Sequence, residues 1–153
     1  MMQTKTPYRI LIFDDSEEIR SLLREFFSSR GYEAFAFPNP AVCPISHEKQ
    51  CPCPEGQACA DFILSDLNMP VQQGIDFLEG QMRKGCKCKN MALMSGDFTE
   101  DDIARAKAIG LMLLKKPFGL EEILQWLEGA EKAISSDRKL ADWFFKSQRR
   151  ELS

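Results

Sequence analysis

The chain has 153 residues, 44% hydrophobic and 28% charged, with a formal net charge of −3. That composition fits one globular domain with a full hydrophobic core, and its mild acidity argues against a general nucleic-acid binder. No apolar run approaches the roughly 18 residues of a membrane span, and the start "MMQTKTPYRILIF" lacks the pattern of a secretion signal. The expected location is the cytoplasm, where thiols stay reduced. Six cysteines there point to metal or redox chemistry before a disulfide scaffold.

The first predicted element is "YRILIFDD" (8–15), a short apolar run that stops at two aspartates and reads as a buried strand. "SEEIRSLLREFFSSRG" (16–31) follows as a helix, with Ser16 as cap, acids in its first turn and Gly31 at its stop. "YEAFAF" (32–37) alternates like a strand, and "ADFILSD" (60–66) is another apolar run ending in an acid. "GIDFLEGQMRKG" (74–85) is a helix, "MALMS" (91–95) a buried strand, and "TEDDIARAKAIG" (99–110) a helix capped by Thr99. "LMLLKKP" (111–117) is a fifth strand ended by Pro117, and "GLEEILQWLEGAEKAI" (119–134) an amphipathic helix. Strands alternating with helices imply right-handed crossovers and a mostly parallel sheet covered on both faces.

One link breaks this rhythm. Residues 38–60 carry prolines at 38, 40, 44, 52 and 54, which leave room for at most a turn or two of helix. The same stretch holds Cys43, Cys51, Cys53, Cys59 and the lone His47.

In an open parallel sheet, ligands collect beyond the carboxyl ends of the strands. Those ends carry Asp14 and Asp15, Asp66, Ser95 and Lys116. Carboxylates converging in one crevice stay ionised only if a cation neutralises them, and a hard, oxygen-seeking Mg²⁺ suits them. Lys116 adds an ammonium and Ser95 a hydroxyl donor. Such a set would stabilise a phosphoryl group on a carboxylate. Each piece alone has a plainer reading, as helix cap, turn or loop. The constellation on successive strand tips is what carries weight.

The motifs "ILIFDD" (10–15), "ILSDLNMPVQQG" (63–74), "LMSGD" (93–97) and "LLKKPF" (113–118) occur in the order found in two-component response-regulator receiver domains, which the chain resembles over residues 8–134. It is similar to the chemotaxis-type single-domain regulators. The resemblance implies a flavodoxin-like α/β fold, a doubly wound five-stranded parallel sheet of order 2-1-3-4-5. The second helix would be shortened or replaced by the Cys/Pro-rich loop. It implies phosphoryl transfer from a histidine kinase onto Asp66 and signalling to a downstream protein by contact. Asp15 would bind Mg²⁺ directly, Asp14 through water, and Asn68 through its backbone carbonyl. Ser95 would be the switch hydroxyl, Lys116 would pair with the phosphoryl group, and Pro117 would fix the turn. Gly74 matches the family's glycine at a close turn. The chain departs from the family on the fifth strand, where Leu113, or Met112 in another register, stands in place of the usual switch aromatic.

Cys59 and Cys88 each lie seven residues before a strand-tip residue, Asp66 and Ser95. With strands rising about 3.3 Å per residue, the thiols then gather on the order of 20 Å from the carboxylates, at the opposite pole. Cys51, Cys53, Cys59, Cys86 and Cys88 form a candidate second metal site for zinc or an iron–sulfur centre. Cys43 and His47 are weaker ligand candidates. The close pairs are Cys-x-Cys rather than Cys-x2-Cys, so disulfides and free thiols stay open beside metal binding.

Residues 135–153 extend past the last expected helix of a domain spanning 1–134. Leu140, Trp143 and Phe144 form an apolar stripe flanked by Arg138, Lys139, Lys146, Arg149 and Arg150. The expectation is an amphipathic helix that folds back on the domain, packs in a homodimer or docks a partner; a DNA-binding output domain does not fit. Two rival functions remain. A metal- or redox-sensing module could use Cys43, Cys51, Cys53, Cys59, Cys86 and Cys88 on the same scaffold. A phosphatase of the haloacid-dehalogenase type needs a second acid two residues after its first-strand nucleophile, where this chain has Ser16.

Overall fold

The computed structural model describes residues 6–43, 45, 48–54, 56–116 and 119–141. Strands β1 (Arg9–Phe13), β2 (Glu33–Phe37), β3 (Phe62–Asp66), β4 (Asn90–Ser95) and β5 (Met112–Lys115) form one sheet in the order β2-β1-β3-β4-β5. Every neighbouring pair is parallel. β1 and β3 are buried along their whole length, which is why they read as unbroken apolar runs rather than alternating ones.

Three helices make crossovers, α1 (Glu17–Ser29), α2 (Gly74–Arg83) and α3 (Glu100–Ala108), and α4 (Leu120–Glu131) follows β5. Ser16 caps α1 by accepting the Ile19 N–H, and Thr99 and Asp102 form a reciprocal capping box on α3. α1 and α4 cover one face of the sheet, where Leu23, Phe27, Ile123 and Leu127 bury against Ile10, Ile12, Phe62 and Leu64. α2 and α3 cover the other, where Ile75, Phe77, Leu78 and Ala106 join a cluster with Leu11, Phe13, Ile63 and Leu93. None of the helices is long and apolar enough to cross a membrane, among the described residues.

The link between β2 and β3 holds one 3-10 turn, Pro40–Val42, capped by Asn39. Of its other described residues, Ile45 alone is again in 3-10 conformation, and none is in a strand. Cys43, Ile45, Cys53 and Cys59 nevertheless bury in the same cluster as α2, so the loop fills with thiols and one isoleucine the place a second crossover helix would take.

The described part of the tail, residues 135–141, carries a turn and no helix or strand, so the amphipathic helix expected over 135–153 does not start there. Residues 142–153, with Trp143, Phe144, Lys146, Arg149 and Arg150, lie outside the described residues. The tail is fastened under the sheet. Ala141 donates its N–H to the Ala58 carbonyl (2.8 Å), and Arg138 pairs with the buried Asp61, its Nε lying 2.6 Å from Oδ1. Asp61 also accepts the Arg9 N–H at 2.9 Å.

Candidate functional site

The upper pole of the sheet is built from strand tips. β1 runs out at Phe13, and the next residue, Asp14, still belongs to the sheet through its N–H to the Phe37 carbonyl (3.1 Å). Its side chain is fully buried; Oδ1 accepts the Ser16 N–H at 2.8 Å and Oδ2 accepts Lys116 Nζ at 2.9 Å. Asp15, one residue on, is exposed. Asp66 is the last residue of β3, buried, and its Oδ1 lies 3.4 Å from the same Lys116 Nζ. Asp14, Asp15 and Asp66 each offer an oxygen, and these lie within 4.8 Å of one another. Among the described residues they are the one such group of His, Cys, Asp or Glu.

Lys116 stands just past β5, where its N–H bonds the Ser95 carbonyl at 2.8 Å. Ser95 ends β4, and its hydroxyl accepts the Asp97 N–H and donates to the Asp97 carbonyl, both at 3.1 Å. Asn68 is exposed, two residues beyond Asp66. Gly74 opens α2 against the Asp66 backbone: a Cβ there would lie 2.1 Å from the Asp66 carbonyl oxygen. Any other residue would push the site apart.

The electrostatics are those of a crowded anionic crevice. Burial, then the charges of Asp14 and Asp15, push the Asp66 carboxyl up to about 6 against the opposing pull of Lys116. For Lys116, burial works against the ammonium, but its hydrogen bonds and charge pairing with Asp14 and Asp66 outweigh it and hold the group above its ordinary value. One ammonium thus serves two acids, Asp14 and Asp66, with the exposed Asp15 beside them. This is the donor set a hard divalent cation fits, because oxygen ligands already converge and negative charge exceeds positive.

Two features were not evident from the chain alone. Arg20, a turn into α1, donates to the Asp14 carbonyl at 2.8 Å and fixes the loop that carries both acids. Its position four residues after the cap Ser16 was the available signal. On β5, Leu113 pairs with Leu93 in register, on the face of Ser95, and packs into the α2/α3 cluster. Met112 is exposed. Leu113 thus faces the core of the sheet and Met112 faces out. Pro117 and His47 lie outside the described residues.

The six cysteines are free thiols. Cys51, Cys59, Cys86 and Cys88 lie at the lower pole, beside the end of α2 and the starts of β1 and β4, although the register pairs Asp66 with Met94 rather than with Ser95. They do not close round one point as the carboxylates do.

The profile of the family described as Response regulator receiver domain matches residues 10–128. The chain belongs to that family. The receiver domain is 30% identical over 116 residues to sporulation initiation phosphotransferase F of Bacillus subtilis, covering 75% of this chain and 86% of the relative. It superposes on the chemotaxis response regulator CheY4 of Vibrio cholerae with a TM-score of 0.64 and 26% identity, over 82% of this chain and 99% of that one. A Francisella receiver domain matches in fold with a TM-score of 0.65 and 22% identity, over 84% of this chain and 100% of that one. The receiver domain is thus a phosphoacceptor module of two-component signalling on the flavodoxin-like fold. None of these matches favours the metal- or redox-sensing alternative.

Proposed function

We infer that Asp66 takes the phosphoryl group from a phosphohistidine of a partner kinase, with Asp14, Asp15, Asp66 and the Asn68 carbonyl holding Mg²⁺ beside it. The supporting observation is the single Lys116 ammonium placed between Asp14 and Asp66, with Asp15 completing the acidic group. In the transfer, an Asp66 carboxylate oxygen attacks phosphorus, the O–P bond forms as the donor's N–P bond breaks, and the leaving imidazole takes up a proton. Bound Mg²⁺ supplies charge neutralisation for the phosphoryl oxygens.

The chain's own groups then respond to the new charge. Lys116, shared between two acids, turns to the phosphoryl oxygens, which carry more charge than the carboxylate they replace. The Ser95 hydroxyl exchanges its Asp97 carbonyl acceptor for a phosphoryl oxygen. Both moves act on the ends of β4 and β5, which lead into α3 and α4 with their exposed Ile103 and Leu120, where a downstream protein would bind. With Leu113 in place of an aromatic ring, the change passes through these loop bonds rather than through a rotating ring. The protein acts by contact and catalyses only its own phosphorylation and dephosphorylation. Its place is the cytoplasm, with the kinase.

Incubating the chain with Mg²⁺ and phosphoramidate tests this reading. The wild type takes up one phosphoryl group by intact mass, and Asp66→Asn takes up none; equal uptake by both would remove the assignment.

A further inference from the structure

Under the sheet, at the pole away from the carboxylates, lies a cavity of about 550 Å³. Small-molecule sites occupy roughly 300–1,000 Å³, so this one has room for an organic ligand and not only for an ion. Its walls come from four places: the approach to β3, the link before β4, the residues just past α4, and the fastened tail. The phosphoryl chemistry at Asp66 makes no use of it.

The charge of this cavity is one-sided. Lys87, Lys89, Arg138 and Lys139 line it against a single acid, Asp61. That acid is already engaged. Arg138 Nε lies 2.6 Å from its Oδ1, Arg138 Nη2 pairs with its Oδ2, and the Arg9 N–H reaches the same Oδ2 at 2.9 Å. Arg138 and Asp61 therefore cancel, which leaves three lysines. Among the described residues none of the three pairs with an acid, and Lys87 Nζ donates to a neutral acceptor, the Gly85 carbonyl, at 3.1 Å. On a chain of net charge −3, three uncompensated ammoniums in one concavity reverse the local sign, and a cleft so lined concentrates anions.

Two details narrow the anion. The guanidinium that would grip a planar carboxylate through two parallel bonds is committed to Asp61. The ligand thus meets lysines, which act as point charges and suit phosphate. Beside the charges the lining is apolar: Ala60 is buried, and Ile134 and Leu140 are half-buried, which gives an organic body a surface to lie on. The negative end of α4 comes to this wall, but the Ala130 and Glu131 carbonyls there are taken by the N–H groups of Ala133 and Ile134, at 3.0 and 3.1 Å.

We propose that this lower cavity binds a small organic phosphate of nucleotide size with two or more negative charges, its phosphates on Lys87, Lys89 and Lys139 and its body over Ile134 and Leu140. Bound there, it bridges the tail to the starts of β3 and β4 and reinforces the contact that Arg138 makes with Asp61.

The test is calorimetric titration of the full chain, free of Mg²⁺, with ATP, inorganic pyrophosphate and adenosine, alongside amide NMR shifts. The expected result is one ATP per chain, weaker binding of pyrophosphate, none of adenosine, and an ATP affinity that falls as salt is added. The shifts gather at Ala60, Asn90 and Leu140. The triple variant Lys87→Gln, Lys89→Gln, Lys139→Gln weakens ATP by about tenfold or more, whereas Lys107→Gln, on the exposed side of α3, leaves it unchanged. These are exposed or half-buried lysines, and thermal midpoints check that each variant is folded. Adenosine or pyrophosphate binding as tightly as ATP, an affinity unchanged in the triple variant, shifts confined to Asp14 and Asp66, or no saturable binding of either phosphate overturns the proposal. Phosphoramidate labelling of Asp66 is read separately at the other pole, so failure of either claim leaves the other standing.

Discussion

Lys116 Nζ lies 2.9 Å from Asp14 Oδ2 but 3.4 Å from Asp66 Oδ1. The ammonium is therefore bound more closely to the acid that stays than to the acid that reacts. Before phosphorylation it serves Asp14, which is fully buried and whose other carboxylate oxygen accepts the Ser16 N–H. Removing it leaves a buried carboxylate without its counter-charge. Lys116→Met is expected to lose about 3 kcal/mol of stability at neutral pH, and to recover part of that in Mg²⁺. Urea unfolding with and without Mg²⁺ measures this. An unchanged midpoint would show that the pair contributes nothing.

The Asp66 carboxyl provides a pH dependence with a definite sign. Its folded value, about 6, lies above the ordinary 3.8. The folded state thus holds this proton more tightly than the unfolded chain does. The resulting stability is complete below about pH 4 and is lost as pH rises through about 6. The difference is worth about 3 kcal/mol. Without Mg²⁺, Asp66→Asn should therefore be the more stable protein at pH 8 and should lose that advantage near pH 4. Denaturant midpoints of both proteins across this range decide it, and parallel curves would contradict it.

Gly74 opens α2 against the backbone of the proposed acceptor. Because a Cβ would meet the Asp66 carbonyl oxygen at 2.1 Å, Gly74→Ala must displace either α2 or the tip of β3. A loss of about 3 kcal/mol and a marked slowing of phosphoramidate labelling are expected together. Stability loss with unchanged labelling would mean that α2 alone had moved.

Arg138 belongs to the tail but anchors to Asp61, just before β3. Arg138→Ala should cost about 3 kcal/mol, since Asp61 is buried and keeps only weaker partners. Labelling of Asp66 should be unaffected, because the pair sits at the far pole. A double cycle with Asp61→Asn separates the pair from general loss of packing.

The acidic site was legible because apolar runs that end in acids are strands whose tips share one edge of a parallel sheet. Asp14, Asp66, Ser95 and Lys116 needed no further information to be brought together. The cysteine pole was legible in outline through the offsets of Cys59 and Cys88, although the β3–β4 register is shifted by one residue. What the chain hid is long-range and aperiodic. Arg9, Asp61 and Arg138 are separated by 52 and 77 positions and belong to no repeat or motif. Helical spacing in Leu140, Trp143 and Phe144 suggests a helix; residues 135–141 carry none and are held by the Arg138–Asp61 pair and the Ala141–Ala58 backbone bond, while Trp143 and Phe144 lie outside the described residues.

The central claim, that this crevice exists to hold a phosphoryl group on one particular carboxylate, is tested most directly by trapping the acyl phosphate. The chain is phosphorylated in Mg²⁺, reduced with borohydride and mapped by peptide mass spectrometry, so that the phosphorylated aspartate is read out as homoserine. The account predicts homoserine at position 66 alone, and only when Mg²⁺ was present. Homoserine at position 14 or 15, or none at any position in fully folded protein, would contradict it.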